Sequence, residues 1–243
     1  MMDWLCADWP VPAGIVAGTT YRYGGVSDGP WRSFNLGAHV GDSNTAVSEN
    51  RRRFRERCGL PDDPRWLQQV HGVTVVADPA AGAAPQADAV VTRAKGLVCA
   101  VLTADCLPVA LTTRDGRVLG LAHAGWRGLA AGVLERTVAA LGAPPGDMLA
   151  WLGPAISQPA FEVGDEVRDQ FLALDDSADA CFAQNPAGRW QADLYGLARL
   201  RLAKVGVKDV HGGARCTFGE PDAFFSYRRD GQCGRMATFI YRY

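Results

Sequence analysis

The sequence has no long apolar run, no excess of basic residues and no paired-cysteine motif, and each absence excludes a class of protein. No window approaches the ~18 to 20 consecutive apolar residues that a membrane-spanning helix needs, so we expect a protein that crosses no membrane. The formal net charge of -1 at pH 7 provides no basic stripe for nucleic acid or for an anionic membrane surface. Small molecules are therefore the expected partners.

The cysteines indicate a reducing environment. There are seven of them, an odd number, and they show no spacing typical of a disulfide framework. The N-terminus, Met-Met-Asp-Trp-Leu-Cys, also lacks a basic segment followed by an apolar one. We therefore expect a cytoplasmic protein. With 243 residues, 48% of them hydrophobic, the chain can bury a large core, and we expect a single domain over residues 1–243.

Short apolar segments separated by turns predict a mixed α/β fold. Apolar strands at 97–102, 108–112 and 118–122 surround an Asp115-Gly116 turn, which is typical of a β-hairpin. Further strands are predicted at 15–20, 66–70, 73–77, 148–152, near 210 and at 236–243, and helices at 48–57, 129–141, 164–174 and 194–205. Because strands and helices do not alternate strictly, we expect layered mixed β-sheets flanked by helices.

Three motifs each place one metal ligand where a predicted strand ends. They are Gln-Val-His-Gly around His71, Thr-Ala-Asp-Cys around Cys106 and Ala-His-Ala-Gly-Trp-Arg-Gly around His123. Two imidazoles and a thiolate suit zinc and leave a fourth tetrahedral position open, which is typical of catalytic rather than structural sites. Their spacings match no short metal motif, so the prediction depends on the strand ends converging.

These motifs, with others along the chain, resemble those of the YfiH-like family. The similar segments are Asn35-Leu36-Gly37, Val70-His71-Gly72, Thr103-Ala104-Asp105-Cys106-Leu107-Pro108, His123-Ala124-Gly125-Trp126-Arg127-Gly128, Gly153-Pro154-Ala155-Ile156 and Phe225-Ser226-Tyr227-Arg228-Arg229-Asp230. Members of that family are often labelled polyphenol oxidase or laccase-domain proteins, and purine nucleoside phosphorylase and adenosine deaminase activities have been assigned to them. The resemblance implies a phosphorylase acting on adenosine, inosine or methylthioadenosine that also deaminates adenosine.

The resemblance also implies a fold and a metal site. The fold is a single α/β domain of layered mixed sheets, similar to the catalytic domain of cytotoxic necrotizing factor, a toxin with cysteine-hydrolase chemistry. The family motifs match His71, Cys106 and His123 residue for residue, which implies that these three bind Zn²⁺, with copper as the alternative metal.

The small number of histidines argues against the oxidase label. A laccase-type multicopper centre needs about ten histidines, many in H-x-H pairs, because imidazole is the ligand that copper prefers there. This chain has four histidines and no H-x-H pair. A copper-dependent polyphenol oxidase would therefore have to use the single His-Cys-His site.

Residues that could carry out a reaction on a nucleoside lie within or near these motifs. Deamination requires an activated water and a carboxylate that transfers protons, and Asp105 beside Cys106 is the candidate. Its structural alternative is to cap a helix or to orient a ligand. Cys106 is both a metal ligand and a candidate nucleophile. Phosphorolysis requires an anion pocket, for which the backbone N-H groups of residues 125–128 are candidates.

Arginines and one loop complete the set of candidate substrate-binding residues. Arg51, Arg228 and Arg229 are the side-chain candidates for phosphate. Arg51 lies among other arginines, so a solvated helix face is its alternative, and Arg228 and Arg229 are expected on a strand, where only one can face the site. Asn35 and His39 lie in a loop similar to that of the family and are candidates for substrate contact.

Two other classes of function remain open at this level. Cys106 with His123 as base could form a cysteine hydrolase or amidase that corrects peptidoglycan precursors, because bacterial relatives have been linked to that process. A non-catalytic metal-binding or redox partner protein, in which the site stores zinc or copper, is the third class, but storage sites are usually closed. A monomer and a homodimer are equally consistent with the sequence.

Overall fold

The computed structural model describes residues 4–243, which form thirteen strands, six α-helices and four short 3-10 helices. The strands are β1 (Trp4–Cys6), β2 (Ile15–Thr20), β3 (Val75–Ala77), β4 (Ala89–Thr92), β5 (Cys99–Thr103), β6 (Leu107–Thr113), β7 (Leu119–Ala124), β8 (Met148–Leu152), β9 (Glu162–Val163), β10 (Phe182–Gln184), β11 (Trp190–Ala192), β12 (Asp209–Gly212) and β13 (Met236–Arg242). The α-helices are α1 (Asn44–Arg57), α2 (Trp126–Ala131), α3 (Val133–Leu141), α4 (Asp165–Leu172), α5 (Leu194–Lys204) and α6 (Tyr227–Asp230). The 3-10 helices lie at Gly29–Trp31, Pro145–Asp147, Gln158–Ala160 and Asp176–Cys181.

The strands form three sheets in the described part of the chain. A six-stranded sheet has the order β12-β8-β6-β7-β4-β3, and its two outer pairs, β12-β8 and β3-β4, are parallel while the other pairs are antiparallel. A four-stranded antiparallel sheet has the order β1-β2-β13-β5, and β10-β11-β9 form a small third sheet. This arrangement confirms the predicted mixed α/β fold with several sheets.

The two large sheets pack face to face because their central strands are apolar on both sides. Alternate residues of β5 face opposite layers: Val101 packs with Leu121 of the six-stranded sheet, whereas Ala100 packs with Phe54 of α1. On the other face of the six-stranded sheet, the apolar sides of α2 to α5 cover strands β6 and β7. The layers are therefore helix, sheet, sheet and helices.

Several predicted elements are confirmed, and the helices predicted at 48–57 and 129–141 depart most from their predicted bounds. The strands at 15–20 and 148–152 and the hairpin around Asp115-Gly116 are as predicted. Helix α1 begins at Asn44 rather than at 48, because Ser43 caps it by accepting a hydrogen bond from the Ala46 amide. The helix predicted at 129–141 is two helices, because Gly132 adopts a φ of 99°, which ends α2.

Two strand predictions were wrong for local reasons. Residues 66–70 make one isolated bridge, at Gln68, because the Gln69 side chain instead satisfies both backbone groups of Leu102 on the neighbouring strand β5, at 2.7 and 2.8 Å. Arg228 and Arg229 do not alternate along a strand but lie in α6, which the Ser226 hydroxyl caps at the Arg229 amide. Five strands, β1, β4, β9, β10 and β11, were not predicted from the sequence.

None of the helices in residues 4–243 has the length and hydrophobicity needed to span a bilayer. The similarity to the toxin catalytic domain and the extent of the single domain stay predictions.

Candidate metal centre and pocket

The three predicted ligands converge at one end of the six-stranded sheet. His71 follows the extended segment before β3, Cys106 lies in the turn between β5 and β6, and His123 lies near the end of β7. Their ligand atoms all lie within 4.8 Å of one another, and Cys106 Sγ is 3.7 Å from His71 Nε2. His123 is buried, Cys106 is half-buried and His71 is exposed, so the cluster is open on the His71 side.

The antiparallel pairing of β6 with β7 accounts for two of the three positions. In this register Pro108 lies opposite His123 and Leu107 lies opposite Ala124, so Cys106 and His123 are neighbours across the hairpin. His71 reaches them from another segment of chain, with its ring centroid 4.8 Å from that of His123. The predicted convergence of strand ends therefore has a simple basis in strand register.

Asp88, which the sequence analysis missed, holds two of the ligands in place. It is fully buried at the start of β4, and its Oδ1 accepts hydrogen bonds from the His71 amide at 2.9 Å and from His123 Nδ1 at 2.8 Å. Its Oδ2 accepts from the amides of Gly72 at 2.7 Å and Val70 at 3.2 Å. With His123 Nδ1 engaged, Nε2 is left as the atom that can bind a metal.

The backbone around His71 needs this support. His71 has a φ of 59°, in the left-handed region that non-glycine residues seldom adopt. The Asp88 carboxylate accepts three successive amides of this turn and so compensates for the cost of the conformation. The only hint of this in the sequence is a single acidic residue placed directly before the apolar run Ala89-Val90-Val91.

Two glycines of the Ala-His-Ala-Gly-Trp-Arg-Gly motif make room for the cluster. A Cβ at Gly125 would lie 2.8 Å from His71 Cδ2 and 3.1 Å from Cys106 Sγ. A Cβ at Gly128 would lie 2.8 Å from the Gly72 carbonyl oxygen. The motif therefore requires glycine at these positions for close packing.

We expect Gly125→Ala to weaken metal binding by about 5- to 100-fold, because overpacking costs about 1–3 kcal/mol. The φ of Gly125 is -62°, which alanine also adopts, so the backbone itself is not strained. Isothermal titration with Zn²⁺ measures the effect. Gly146→Ala is the matched control, since a Cβ there meets nothing within 4 Å. Unchanged zinc affinity in Gly125→Ala would contradict the packing role.

The ligands also influence one another's protonation. Burial would raise the pKa of the Cys106 thiol, but His123 and His71 lower it below the usual range of a thiol. Burial would lower the pKa of His123, but Cys106 and Asp88 raise it above the usual range of histidine. The cluster therefore favours a thiolate beside a positive charge.

The residues fit a zinc ion by geometry and by donor type. Zinc bonds of about 2.3 Å to sulfur and 2.0–2.1 Å to nitrogen place tetrahedral S and N ligands about 3.6 Å apart, close to the observed Sγ to Nε2 distance of 3.7 Å. The Asp88-His123 pair is the carboxylate-histidine arrangement common behind metal ligands. Copper also binds thiolate and imidazole, so the donor set alone does not exclude it.

A cavity of about 530 Å³ opens beside the cluster, within the size range typical of small-molecule sites. Its apolar walls include Leu67, Val70 and Leu102. Its polar lining residues are His39, Gln68, Gln69, His71, Thr103, Cys106, His123, Tyr227 and Arg235. No aspartate or glutamate of the described residues is among them, so the cavity favours a neutral or anionic ligand.

Of the predicted substrate-binding residues, the structure places only His39 in this cavity. Asn35 is fully buried and its amide bonds to Gly37, Asp42 and the backbone of Arg235. Arg51 donates twice to the Leu36 carbonyl, at 3.1 and 2.9 Å.

The arginines of α6 are likewise occupied by protein groups. Arg228 Nη1 donates to the Glu162 carbonyl at 2.9 Å. Arg229 donates through Nη1 and Nη2 to the carbonyls of Thr217, Phe218 and Phe224. Phosphate-binding roles for these two residues and for Arg51 stay predictions, but their present contacts are structural.

Asp105 faces away from the cavity. Its Oδ1 accepts a hydrogen bond from the Thr217 hydroxyl at 2.6 Å and its Oδ2 accepts from the Arg228 amide at 2.7 Å. It thereby holds the start of α6 against the turn that carries Cys106. This geometry favours the positioning role considered from the sequence over the proton-transfer role, which stays a prediction.

The sequence analysis also missed Tyr227 and Arg235 as lining residues. In the sequence Tyr227 is marked only as part of a family motif, whereas in the structure it is 61% exposed and lines the cavity. Arg235 lies outside the quoted motifs, and no local pattern marks it, because only the folding of β13 beside the Asn35 loop brings it to the cavity.

A mixed α/β fold with an open His-Cys-His cluster beside a substrate-sized cavity defines a candidate metalloenzyme. Residues 16–243 match the family model described as multi-copper polyphenol oxidoreductase laccase. The chain belongs to this family.

Curated proteins that are similar to the chain over its full length are named for a different activity from that in the family description. It is 53% identical to a Pseudomonas aeruginosa protein and 51% identical to the Escherichia coli protein YfiH, both named purine nucleoside phosphorylase, with 99% of each chain covered in both cases. The crystal structure of a Neisseria meningitidis protein superposes with a TM-score of 0.95 at 50% identity, also over 99% of each chain. The structure of YlmD from Geobacillus stearothermophilus gives a TM-score of 0.86 at 34% identity, over 95% of this chain and 92% of that one.

The family description implies copper, but the residues do not fit a multicopper cluster. Such a cluster needs about ten histidines. This chain has four, of which His71 and His123 belong to the one cluster found in residues 4–243 and His211 pairs with Asp209 at 2.7 Å. Within residues 4–243 the His-Cys-His cluster is the one group of three or more such side chains that could hold a metal ion.

Proposed function

We propose that this protein is a zinc-dependent purine nucleoside phosphorylase. The observation that carries the proposal is the convergence of His71, Cys106 and His123 on a cavity with no lining carboxylate. The full-length similarity to relatives named purine nucleoside phosphorylase supports the reaction class. Adenosine, inosine and methylthioadenosine are the proposed substrates, with phosphate as the second substrate, in a cytoplasmic enzyme that is a monomer or a homodimer.

The three ligands would hold the metal in fixed positions. When bound, zinc supplies a Lewis acid that polarises an oxygen or nitrogen of the substrate. Asp88 keeps the His123 ring and the His71 backbone oriented, and the glycines at 125 and 128 keep the space clear.

The cavity walls supply binding and orientation for the nucleoside. Phosphorolysis forms a bond between a phosphate oxygen and C1′ of the sugar and breaks the bond from C1′ to the base. The base nitrogen takes the electron pair of the broken bond and the proton that the hydrogen phosphate gives up. Leu67, Val70 and Leu102 provide an apolar surface for the purine, and the exposed Tyr227 ring provides a stacking surface. The Gln69 amide is engaged with Leu102, so it shapes the wall rather than binding substrate.

The same geometry supports deamination less well. A deaminase needs a carboxylate that moves protons at the reacting carbon. No carboxylate of the described residues lines the cavity, and both oxygens of Asp105 accept hydrogen bonds elsewhere. Adenosine deamination is therefore the secondary activity in this proposal.

One observation favours a second function, the cysteine hydrolase considered from the sequence. The lowered pKa of Cys106 and its 3.7 Å contact with His71 Nε2 are features of an activated nucleophile. Such an enzyme would need the thiolate free of metal. It would act on peptidoglycan precursors without zinc and would be blocked by thiol alkylation.

We expect the zinc-loaded protein to release hypoxanthine from inosine and adenine from adenosine only when phosphate is present. Chromatography of the products, with and without phosphate, measures this directly. Removal of the metal with a chelator should abolish the release, and added Zn²⁺ should restore it. Intact nucleosides after incubation with a protein of full zinc content would contradict the proposal and favour the hydrolase.

A further inference from the structure

Arg235 is a cationic side chain of the cavity with unused hydrogen-bond donors. Its Nη1 donates to the carbonyls of Cys233 at 2.9 Å and Gly234 at 3.0 Å. Within residues 4–243 its Nε and Nη2 donate to no protein acceptor, and no carboxylate lies within ion-pair distance. This distinguishes it from Arg51 and Arg229, whose Nη2 atoms donate to backbone carbonyls.

The position of Arg235 is built by the Asn35-Leu36-Gly37 loop. The Arg235 amide donates to Asn35 Oδ1 at 2.9 Å, and the Leu36 amide donates to the Arg235 carbonyl at 3.1 Å. A Cβ at Gly37 would lie 2.8 Å from Arg235 Cγ, so glycine is what lets the side chain pass. The stem of the arginine is therefore fixed while part of its guanidinium group stays available, an arrangement that reduces the entropy lost on binding.

The same loop carries His39 to the cavity. The loop is held from its other side by Arg51, which donates to the Leu36 carbonyl. Burial together with the charges of Arg235 and Arg51 lowers the pKa of His39, so its ring is neutral at neutral pH and has one N-H to donate. No acidic group contributes to this shift, which indicates a positive local field.

We propose that Arg235 and His39 form an oxyanion subsite that binds the inorganic phosphate consumed in the phosphorolysis proposed above. A guanidinium edge with two parallel N-H groups matches two oxygens of a phosphate, and a neutral imidazole adds a third donor. The subsite lies in the same cavity as the metal ligands but on different parts of the chain, the 35–43 loop and the residue directly before β13. The inference rests on the proposed function only for the choice of inorganic phosphate over the phosphate group of a nucleotide.

Phosphate binding and turnover test the subsite separately. In zinc-loaded protein, Arg235→Gln should weaken the binding of inorganic phosphate alone, measured by titration calorimetry, by about 10- to 100-fold. In turnover with inosine it should raise KM for phosphate by a similar factor while the KM for inosine changes little. Arg242→Gln, at the opposite end of β13, is the control and should match the parent protein.

A second variant and a second ligand complete the test. His39→Ala, which removes the N-H donor, should also weaken phosphate binding, which covers the case that Arg235→Gln does not fold. Parent-like phosphate affinity in both variants would overturn the subsite even if phosphorolysis is confirmed. If the variants lost the binding of adenosine monophosphate but kept that of inorganic phosphate, the assignment to inorganic phosphate would be overturned. Phosphate binding that depends on Arg235 in a protein without phosphorolysis would support the subsite and count against the proposed function alone.

Discussion

Cys106→Ala is expected to lose zinc and phosphorolysis together. The thiolate is the only sulfur ligand in the cluster, and its position 3.7 Å from His71 Nε2 is a tetrahedral ligand distance. Removing it leaves two imidazoles, so the loss of zinc affinity should exceed the ~10- to 100-fold that removal of an outer-shell partner costs. Metal content after dialysis and phosphate-dependent base release should fall in parallel.

The matched control is Cys216→Ala. Cys216 is also half-buried, but its sulfur accepts hydrogen bonds from the Ser157 hydroxyl and the Gly219 amide and lies outside the metal cluster. That variant should keep its zinc. If Cys106→Ala were active without bound metal, the metal mechanism would be excluded. If it kept zinc but lost activity, Cys106 would instead act as a nucleophile.

Asp88→Asn is expected to weaken both the metal site and the fold. The carboxylate accepts four hydrogen bonds, and an amide can accept at only one of its two ends. The side-chain NH2 group of the asparagine would then face either the Val70 and Gly72 amides or the His71 amide and His123 Nδ1. Two N-H donors would lose their acceptor in either orientation. We expect zinc affinity to fall by about 10- to 100-fold and the free energy of unfolding of the metal-free protein to fall by about 1–3 kcal/mol.

Zinc titration and chemical denaturation separate these two effects. Asp78→Asn is the control, because Asp78 lies at the far end of the β3-β4 pair, is exposed and, among residues 4–243, accepts a side-chain hydrogen bond only from the Thr92 hydroxyl, at 2.5 Å. Its zinc affinity should equal that of the parent protein. A less stable Asp88→Asn with unchanged zinc affinity would show that the carboxylate supports the turn without orienting His123.

The positions of Cys106 and His123 could be predicted from the sequence, whereas the role of Asn35 could not. The strand ends around Cys106 and His123 were predictable because apolar alternation and the Asp115-Gly116 turn fix the hairpin, and the hairpin register makes the two residues neighbours. The role of Asn35 was not predictable, although the residue was singled out. Its polar side chain is fully buried and serves the backbone of Arg235, which is 200 residues away in the chain.

The arginines illustrate the same limit. Arg51, Arg228 and Arg229 have the charge that phosphate binding needs. The charge alone does not show which of their N-H groups remain available to bind a substrate. In the structure these three donate to backbone carbonyls, at Leu36, Glu162 and Thr217 among others. A hydrogen bond to a buried carbonyl satisfies that carbonyl and removes the donor from any substrate, and only the folded chain shows which arginine is used in this way.

Donor chemistry and apolar patterning are local properties, so the residue pattern alone predicts the candidate ligand set, the mixed α/β class and the open character of the site. What surrounds the candidate ligands depends on tertiary contacts. Asp88, Arg235 and Tyr227 reach the site through strand pairing and loop packing between distant segments, and the left-handed turn at His71 exists because the Asp88 carboxylate satisfies three successive amides. Such contacts depend on register and burial, which no local pattern encodes.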